Sequence, residues 1–340
     1  MHCLLLCGLF TTVSAGTGEL QDETQGASSL GPEHVGVIVN DNDPLSREIA
    51  AYYMERRGIP PGNLIHVQLT AGRSVMSPER FRLVMDRVRA ETPANVQVYA
   101  LAWSLPYRVG CMSITTAFAT GFEEAWCAQG CKATRESTYY DSDSRQPFTD
   151  LGLRPAMMLA GDSLDEVRDL IERGIAADGS RPTGTGYLLS TTDRARNVRA
   201  RFYPGILLMQ SDRFDLKVIP GNSLRHRPGV MFYFTGLAHV DGIDTNRYRP
   251  GAIADHLTSA GGKLSGSSQM SSLEWLRAGA TGSYGTVVEP CAFVQKFPRP
   301  DLVINRYLDG ETLIEAYWKS VAWPGQGVFI GEPLAAPFRD

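Results

Sequence analysis

The chain has 340 residues, a hydrophobic fraction of 43% and a formal net charge of −4 at pH 7. A chain of this size and apolar content can bury one large core or two smaller ones. Its slightly acidic balance provides no basic field for a phosphate backbone, which argues against nucleic acid as a partner.

The first residues are typical of an export signal. An apolar run over residues 4–10 is followed by small residues up to Ala15, as a signal peptidase requires. We therefore predict a signal peptide over 1–15, a flexible leader over 16–33 and a secreted or periplasmic location. No later apolar run is long enough to span a bilayer, so we expect no transmembrane segment in the mature chain.

Removal of that signal would leave four cysteines, which are Cys111, Cys127, Cys131 and Cys291. An even count in an exported chain favours two disulfides, and the sequence leaves their pairing open. The alternative is a metal site that includes Cys127 and Cys131, but no histidine lies nearby in the sequence. We predict disulfides, no metal and no cofactor.

Strand and helix patterns alternate from His34 onwards. A buried strand over 34–40 is followed by a helix that begins near Ser46 and by a second strand over 64–69, which makes a β-α-β unit. A helix that begins at Ser77 and a third strand over 96–103 continue the pattern.

Charged residues follow two of these strands. Asp41 and Asp43 come directly after the first strand, and Arg108 comes just after the third. Because ligands bind at the carboxyl ends of strands in open α/β sheets, these three are candidate ligand-binding residues. The alternative for the two aspartates is helix capping and solvation.

Residues 110–150 form an irregular excursion that contains three of the mature cysteines. A loop of this length inside a compact domain is usually functional or held by cross-links. Asp141 and Asp143 could supply oxygen ligands for calcium, but the segment lacks the fixed glycine and distal glutamate of an EF-hand loop.

The rest of the chain continues the alternation. We predict strands over 154–161, 186–190, 216–219 and 327–334, and helices over 163–177, 202–210 and from Glu311. This order predicts a single α/β domain over 34–340, a three-layer sandwich with a mainly parallel central sheet.

The most informative stretch is 230–290. It contains two apolar runs that each end in glycines and small polar residues. The pattern of the segment 252–257 between them predicts a helix. The candidate catalytic residues in and beside these runs are His239, Asp241, Ser265, Ser267 and Glu289.

Carboxyl ends of parallel strands share one edge of a sheet, so the candidates should converge. We expect His239 and Glu289 to line one pocket with Asp41 or Asp43.

Several segments resemble the gingipain-like cysteine peptidases, which have a caspase-type α/β fold. Residues 135–143 and 154–161 are similar to the middle of that fold, and 230–236, 278–287 and 330–334 are similar to its last strands. The resemblance implies a caspase/gingipain-like three-layer sandwich.

A second resemblance is to an uncharacterised family of exported bacterial proteins found in species that carry the exosortase protein-sorting system. The similar blocks are Val39-Asn40 with Pro44 and Ser46, Arg57-Gly58-Ile59-Pro60, Pro250-Gly251-Ala252, Gly279-Ala280, Glu289-Pro290 and Gly331-Glu332-Pro333-Leu334. That family has no established activity.

The peptidase resemblance fails at its catalytic positions. The histidine expected between two glycines after the strand near 230–235 is replaced by Leu237, and the segment expected to carry the nucleophilic cysteine contains Ser265 and Ser267. We therefore expect a cell-envelope protein without the Cys-His dyad, a binding or processing accessory linked to protein sorting. Its partner would be an envelope protein or peptide. The alternative is a serine hydrolase of amide or ester bonds that uses Ser265 or Ser267 with His239.

Overall fold

The computed structural model describes residues 29–128, 130–207 and 214–340. The predicted signal peptide and most of the predicted leader lie outside these residues. The described end of the leader is packed, because Leu30 is buried and its carbonyl accepts a hydrogen bond from Arg339 at 2.8 Å.

The secondary structure follows the predicted alternation closely. The strands are β1 Val35–Asn40, β2 Leu64–Val67, β3 Val75–Met76, β4 Val98–Leu101, β5 Arg108–Val109, β6 Met112–Ser113, β7 Ala156–Met158, β8 Gly184–Ser190, β9 Phe214–Pro220, β10 Val230–Thr235, β11 Tyr248–His256, β12 Gly282–Thr286 and β13 Gly327–Gly331. The α-helices are α1 Pro44–Arg57, α2 Pro78–Glu91, α3 Ile114–Thr120, α4 Pro147–Leu151, α5 Leu164–Ala177, α6 Tyr203–Leu207, α7 Leu273–Ala278, α8 Pro300–Leu308 and α9 Leu313–Lys319.

Helix boundaries follow the capping residues that the sequence shows. The Ser77 side chain accepts a hydrogen bond from the backbone of Arg80, and Ser163 does the same for Glu166. Helix α1 ends at Gly58, whose φ of 64° lies in the left-handed region that glycine favours.

The centre of the fold is a ten-stranded sheet in the order β2-β1-β4-β7-β13-β12-β11-β10-β8-β9. Neighbouring strands are parallel except β12 and β13, which are antiparallel. The last strand therefore joins two parallel halves that run in opposite directions. We call the edge with the carboxyl ends of β1, β4 and β7 the first edge. The second edge has the carboxyl ends of β8, β10, β11 and β12.

Helices cover both faces of the sheet. Residues of α1, α5, α8 and α9 share one buried cluster on one face, and residues of α2, α3 and α7 pack on the other. The predicted three-layer α/β sandwich with a mainly parallel sheet is thus confirmed.

The excursion over 110–150 is more regular than the sequence suggested. It contains α3, whose residues are almost all buried, and β6, which pairs antiparallel with β5 just before the excursion. The four cysteines form two disulfides, as predicted, and the pairs that the sequence left open are Cys111–Cys127 and Cys131–Cys291. Arg306 forms ion pairs with Asp141 and Asp143, so these two carboxylates bind an arginine.

The helix predicted over 252–257 is wrong, because residues 252–256 belong to β11. The strand lies between β10 and β12 and is buried from Gly251 to its end. Apolar residues in a strand that is buried on both faces do not alternate, so their spacing resembles that of a buried helix.

Candidate functional site

Asp41 and Asp43 lie at the first edge, away from the other acidic and catalytic candidates. The Asp41 carboxylate contacts Nδ1 of His66 at 2.8 Å, and Asp43 caps α1 by accepting a hydrogen bond from the backbone of Leu45. The predicted pocket that joins one of them to His239 and Glu289 is wrong. Its premise was a single direction for all strands, and the direction reverses between β12 and β13.

Arg108 lies in β5, beside the segment that contains Ser265. The Tyr107 hydroxyl donates a hydrogen bond to the carbonyl of Ser265 at 3.4 Å. Within the described residues, Nε of Arg108 is buried and has no hydrogen-bond partner.

His239 is exposed just beyond the end of β10, at the second edge. Its Nε2 donates to the carbonyl of Ser268 at 2.8 Å, and Ser267 Oγ accepts from the backbone of Gln269 at 3.0 Å. A hydroxyl nucleophile needs an imidazole nitrogen as its proton acceptor. The structure brings His239 close to the serine segment, but the imidazole bonds a carbonyl oxygen. The exposed residues Ser265 and Asp241 have no described hydrogen bond to it.

Glu289 shares the second edge with His239, as the sequence predicts. It is exposed, and its carboxylate accepts a hydrogen bond from the backbone of Cys291 at 2.7 Å. Cys291 has a φ of 56° and carries the disulfide to Cys131. The Glu289 carboxylate therefore stabilises a turn next to a cross-link.

A polar network fills the space beyond the ends of β10 and β11. Arg196 Nε donates to Thr258 Oγ1 at 3.1 Å, and Thr258 donates to Gln269 Oε1 at 2.8 Å. The same Gln269 oxygen accepts from the backbone of Ala260, while Arg196 pairs with Asp193 at 2.8 Å. We call Arg196, Thr258 and Gln269 the Arg196 network.

A buried ion pair lies beneath this network and was missed in the sequence. Arg199 and Asp255 are each 1% exposed and their side chains are 2.6 Å apart. Arg199 also donates to the carbonyl of Thr235, the last residue of β10, at 2.8 Å. Burial raises the pKa of the Asp255 carboxyl, and the Arg199 charge offsets part of that rise.

His256 is buried beside that pair and has both ring nitrogens occupied. Nδ1 accepts from the Trp275 indole at 2.9 Å and Nε2 donates to the Met270 carbonyl at 3.1 Å. This bonding requires the neutral ring, and burial lowers the pKa of His256 to about 3. His256 thereby holds together the end of β11, the loop that contains Met270 and helix α7.

The neutral state of His256 makes stability depend on pH. Its pKa falls from 6.5 in the unfolded chain to about 3 in the fold, so the stabilisation is complete above pH 6.5 and is lost as the pH falls towards 3. From pH 7 to pH 5, His256 should remove about 2 kcal/mol from the free energy of unfolding.

Urea unfolding at both pH values measures this loss. The variant His256→Gln offers the same acceptor and donor without titrating, and its loss should be smaller by about 2 kcal/mol. Equal losses in the two proteins would contradict the assignment.

Two backbone segments touch at the second edge without intervening side chains. A Cβ built on Gly285 of β12 would lie 2.3 Å from the carbonyl carbon of Gly261 and 2.3 Å from the nitrogen of Gly262. Gly262 also donates a hydrogen bond to the carbonyl of Thr286 at 2.9 Å. The loop that carries Thr258 is thereby held against β12.

Neither a metal centre nor a membrane helix is seen in the described parts of the chain. Their His, Cys, Asp and Glu residues form no group of three or more that could hold a metal ion. None of their helices combines the length and apolar character that crossing a bilayer requires. The two disulfides fit an oxidising compartment. Comparisons of the chain with protein-family models, curated proteins and solved structures find no match.

Proposed function

We propose that this is a secreted or periplasmic binding protein, built on a gingipain-like scaffold without the Cys-His dyad. It would act as an accessory linked to protein sorting and bind an envelope protein or peptide. The two disulfides support the location. The resemblance to exported proteins of exosortase-carrying species supports the context.

The Arg196 network is the observation that carries the proposal. The resemblance implies a histidine after β10 and a nucleophile after the next strand. The sequence pattern put that nucleophile position at Ser265 and Ser267, but the strand after β10 is β11, which ends at His256, so the residues directly after it are Leu257 and Thr258. The Thr258 hydroxyl is bonded to Arg196 and Gln269, and Leu237 takes the histidine position. The side chains of Arg196, Thr258 and Gln269 are thus hydrogen-bonded to one another at the place where a substrate would have to react.

The blocks shared with the exported family support a scaffold role. Arg57 of one block forms an ion pair with Glu332 of another, whose carboxylate also accepts from the Tyr53 hydroxyl at 2.8 Å. Gly251 donates to the Thr281 hydroxyl at 2.9 Å, directly after the Gly279-Ala280 block. These contacts join α1 to the segment after β13 and β11 to the residue before β12, which is a structural role.

A fluorophosphonate probe tests the proposal against the serine hydrolase. We expect no stoichiometric labelling of the mature protein, because neither Ser265 nor Ser267 has an imidazole to accept its proton. An established serine hydrolase serves as the positive control. The hydrolase would be established if the protein is labelled and if the label is lost both in Ser265→Ala or Ser267→Ala and in His239→Ala.

A further inference from the structure

A cavity of about 220 Å³ lies on the face of the sheet that carries α8 and α9. Its walls are partly apolar, with Phe202, Val294, Phe297 and Ala322. The polar groups at the same cavity include Tyr140, Arg201 and Arg299. An apolar pocket with a few convergent polar groups is the usual form of a small ligand site.

Two guanidinium groups flank one aromatic ring of this cavity. The Arg201 guanidinium is 4.9 Å and the Arg299 guanidinium is 5.0 Å from the centroid of Phe202. Arg299 is neutralised by Asp301, whose hydrogen bonds raise the pKa of Arg299. Arg201 is exposed and forms no ion pair within the described residues. The cavity therefore carries one uncompensated positive charge at its mouth.

Lys296 belongs to the segment that provides Val294 and Phe297 to the cavity. It lies between Val294 and Phe297, is fully buried, and its amine has no hydrogen-bond partner among the described side chains and backbone. Burial lowers the pKa of Lys296 to about 8, with Glu289 opposing the shift, and the amine lies 5.2 Å from the centroid of the Phe293 ring.

The polar groups of the cavity are held in position before any ligand binds. Arg299 Nη1 donates to the Tyr140 hydroxyl at 3.2 Å, which leaves the hydroxyl hydrogen of Tyr140 free to donate to another acceptor. The backbone N–H of Asp141 donates to the carbonyl of Lys319, the last residue of α9, and that of Ser137 donates to the carbonyl of Ala322 just after the helix, so the segment of Tyr140 is fixed there. Fixed donors lose little entropy when a ligand arrives.

We propose that this cavity binds the C-terminal carboxylate of a peptide whose last side chain is apolar. Arg201 and the Tyr140 hydroxyl would donate to the carboxylate, and Phe202, Val294 and Phe297 would contact the side chain. A planar guanidinium matches the two carboxylate oxygens, and the ring beneath it fixes its plane. The cavity is of a size for one side chain and its carboxylate, while the rest of the peptide would extend past exposed Arg201. The inference names a ligand for the proposed binding role and rests on that role.

Isothermal titration calorimetry with acetyl-Ala-Ala-Leu and its C-terminal amide tests the site. We expect the acid to bind with a Kd of about 1 mM or tighter, and the amide at least about tenfold more weakly. Arg201→Gln should remove this preference. Arg194→Gln, which removes an exposed arginine outside the cavity, should keep it. Tyr140→Phe should weaken the acid by about threefold or more.

Equal binding of acid and amide would overturn the inference, as would absence of binding by the acid. The inference would also be overturned if Arg201→Gln and Arg194→Gln showed the same preference for the acid over the amide. Far-ultraviolet circular dichroism and thermal melts of each variant identify any loss of folding. A failure here leaves the fluorophosphonate result unaffected, so the two proposals can fail separately.

Discussion

Replacing Asp255 with alanine will lower the free energy of unfolding by about 3–5 kcal/mol, because it leaves the Arg199 charge buried without a partner. Both side chains are 1% exposed and 2.6 Å apart, so water cannot replace the lost carboxylate. Urea unfolding at pH 7, followed by intrinsic fluorescence, measures the change.

Two further variants separate this effect from a general loss of charge. Asp193→Ala also removes an ion pair with an arginine, but that aspartate is 25% exposed and solvent screens it, so the expected loss is about 1 kcal/mol or less. The double variant Arg199→Met/Asp255→Leu should recover much of the stability, since no buried charge remains. Similar losses for Asp255→Ala and Asp193→Ala would contradict the buried pair.

Replacing Gly285 with alanine will cost about 3 kcal/mol or more, at the upper end of overpacking effects. The new Cβ would meet backbone atoms of Gly261 and Gly262 at 2.3 Å, and backbone cannot rotate away as a side chain can. The loop that carries Thr258 would have to move off β12. Thermal and urea unfolding measure the loss.

Gly62→Ala is the matched control for that substitution. A Cβ at Gly62 meets nothing within 4 Å, and its φ lies outside the left-handed region, so we expect a change within about 0.5 kcal/mol. A Gly285→Ala protein as stable as Gly62→Ala would show that the two backbones can separate without cost.

Much of the fold was predictable because its signals are local. Ser77 and Ser163 mark helix starts, Gly58 marks a helix end, and buried strands appear as apolar runs. The direction of each strand in the sheet is not a local property. The strand direction reverses because β13 lies between β7 and β12 and is antiparallel to β12. Asp41 and Asp43 therefore lie at the opposite edge from His239.

The candidate site was only partly predictable. His239 and Glu289 were correctly placed at one edge, because both follow strands of the same parallel half. Asp255 and His256 were missed as buried polar residues, since their partners Arg199 and Trp275 lie far away in sequence. Only one signal was available, namely two ionisable side chains directly after the apolar run at 252–254.

The position of β13 has a consequence for the order in which the molecule can form. This strand is the last in the chain, yet it lies in the middle of the sheet between β7 and β12. Until it is in place, each of those strands has a row of unpaired backbone N–H and C=O groups along one side. Such a row is a template for association with other chains. The two halves can therefore become one sheet only after residues 327–331 pair with both β7 and β12. A truncation that removes β13 would separate the halves even though every other strand is present.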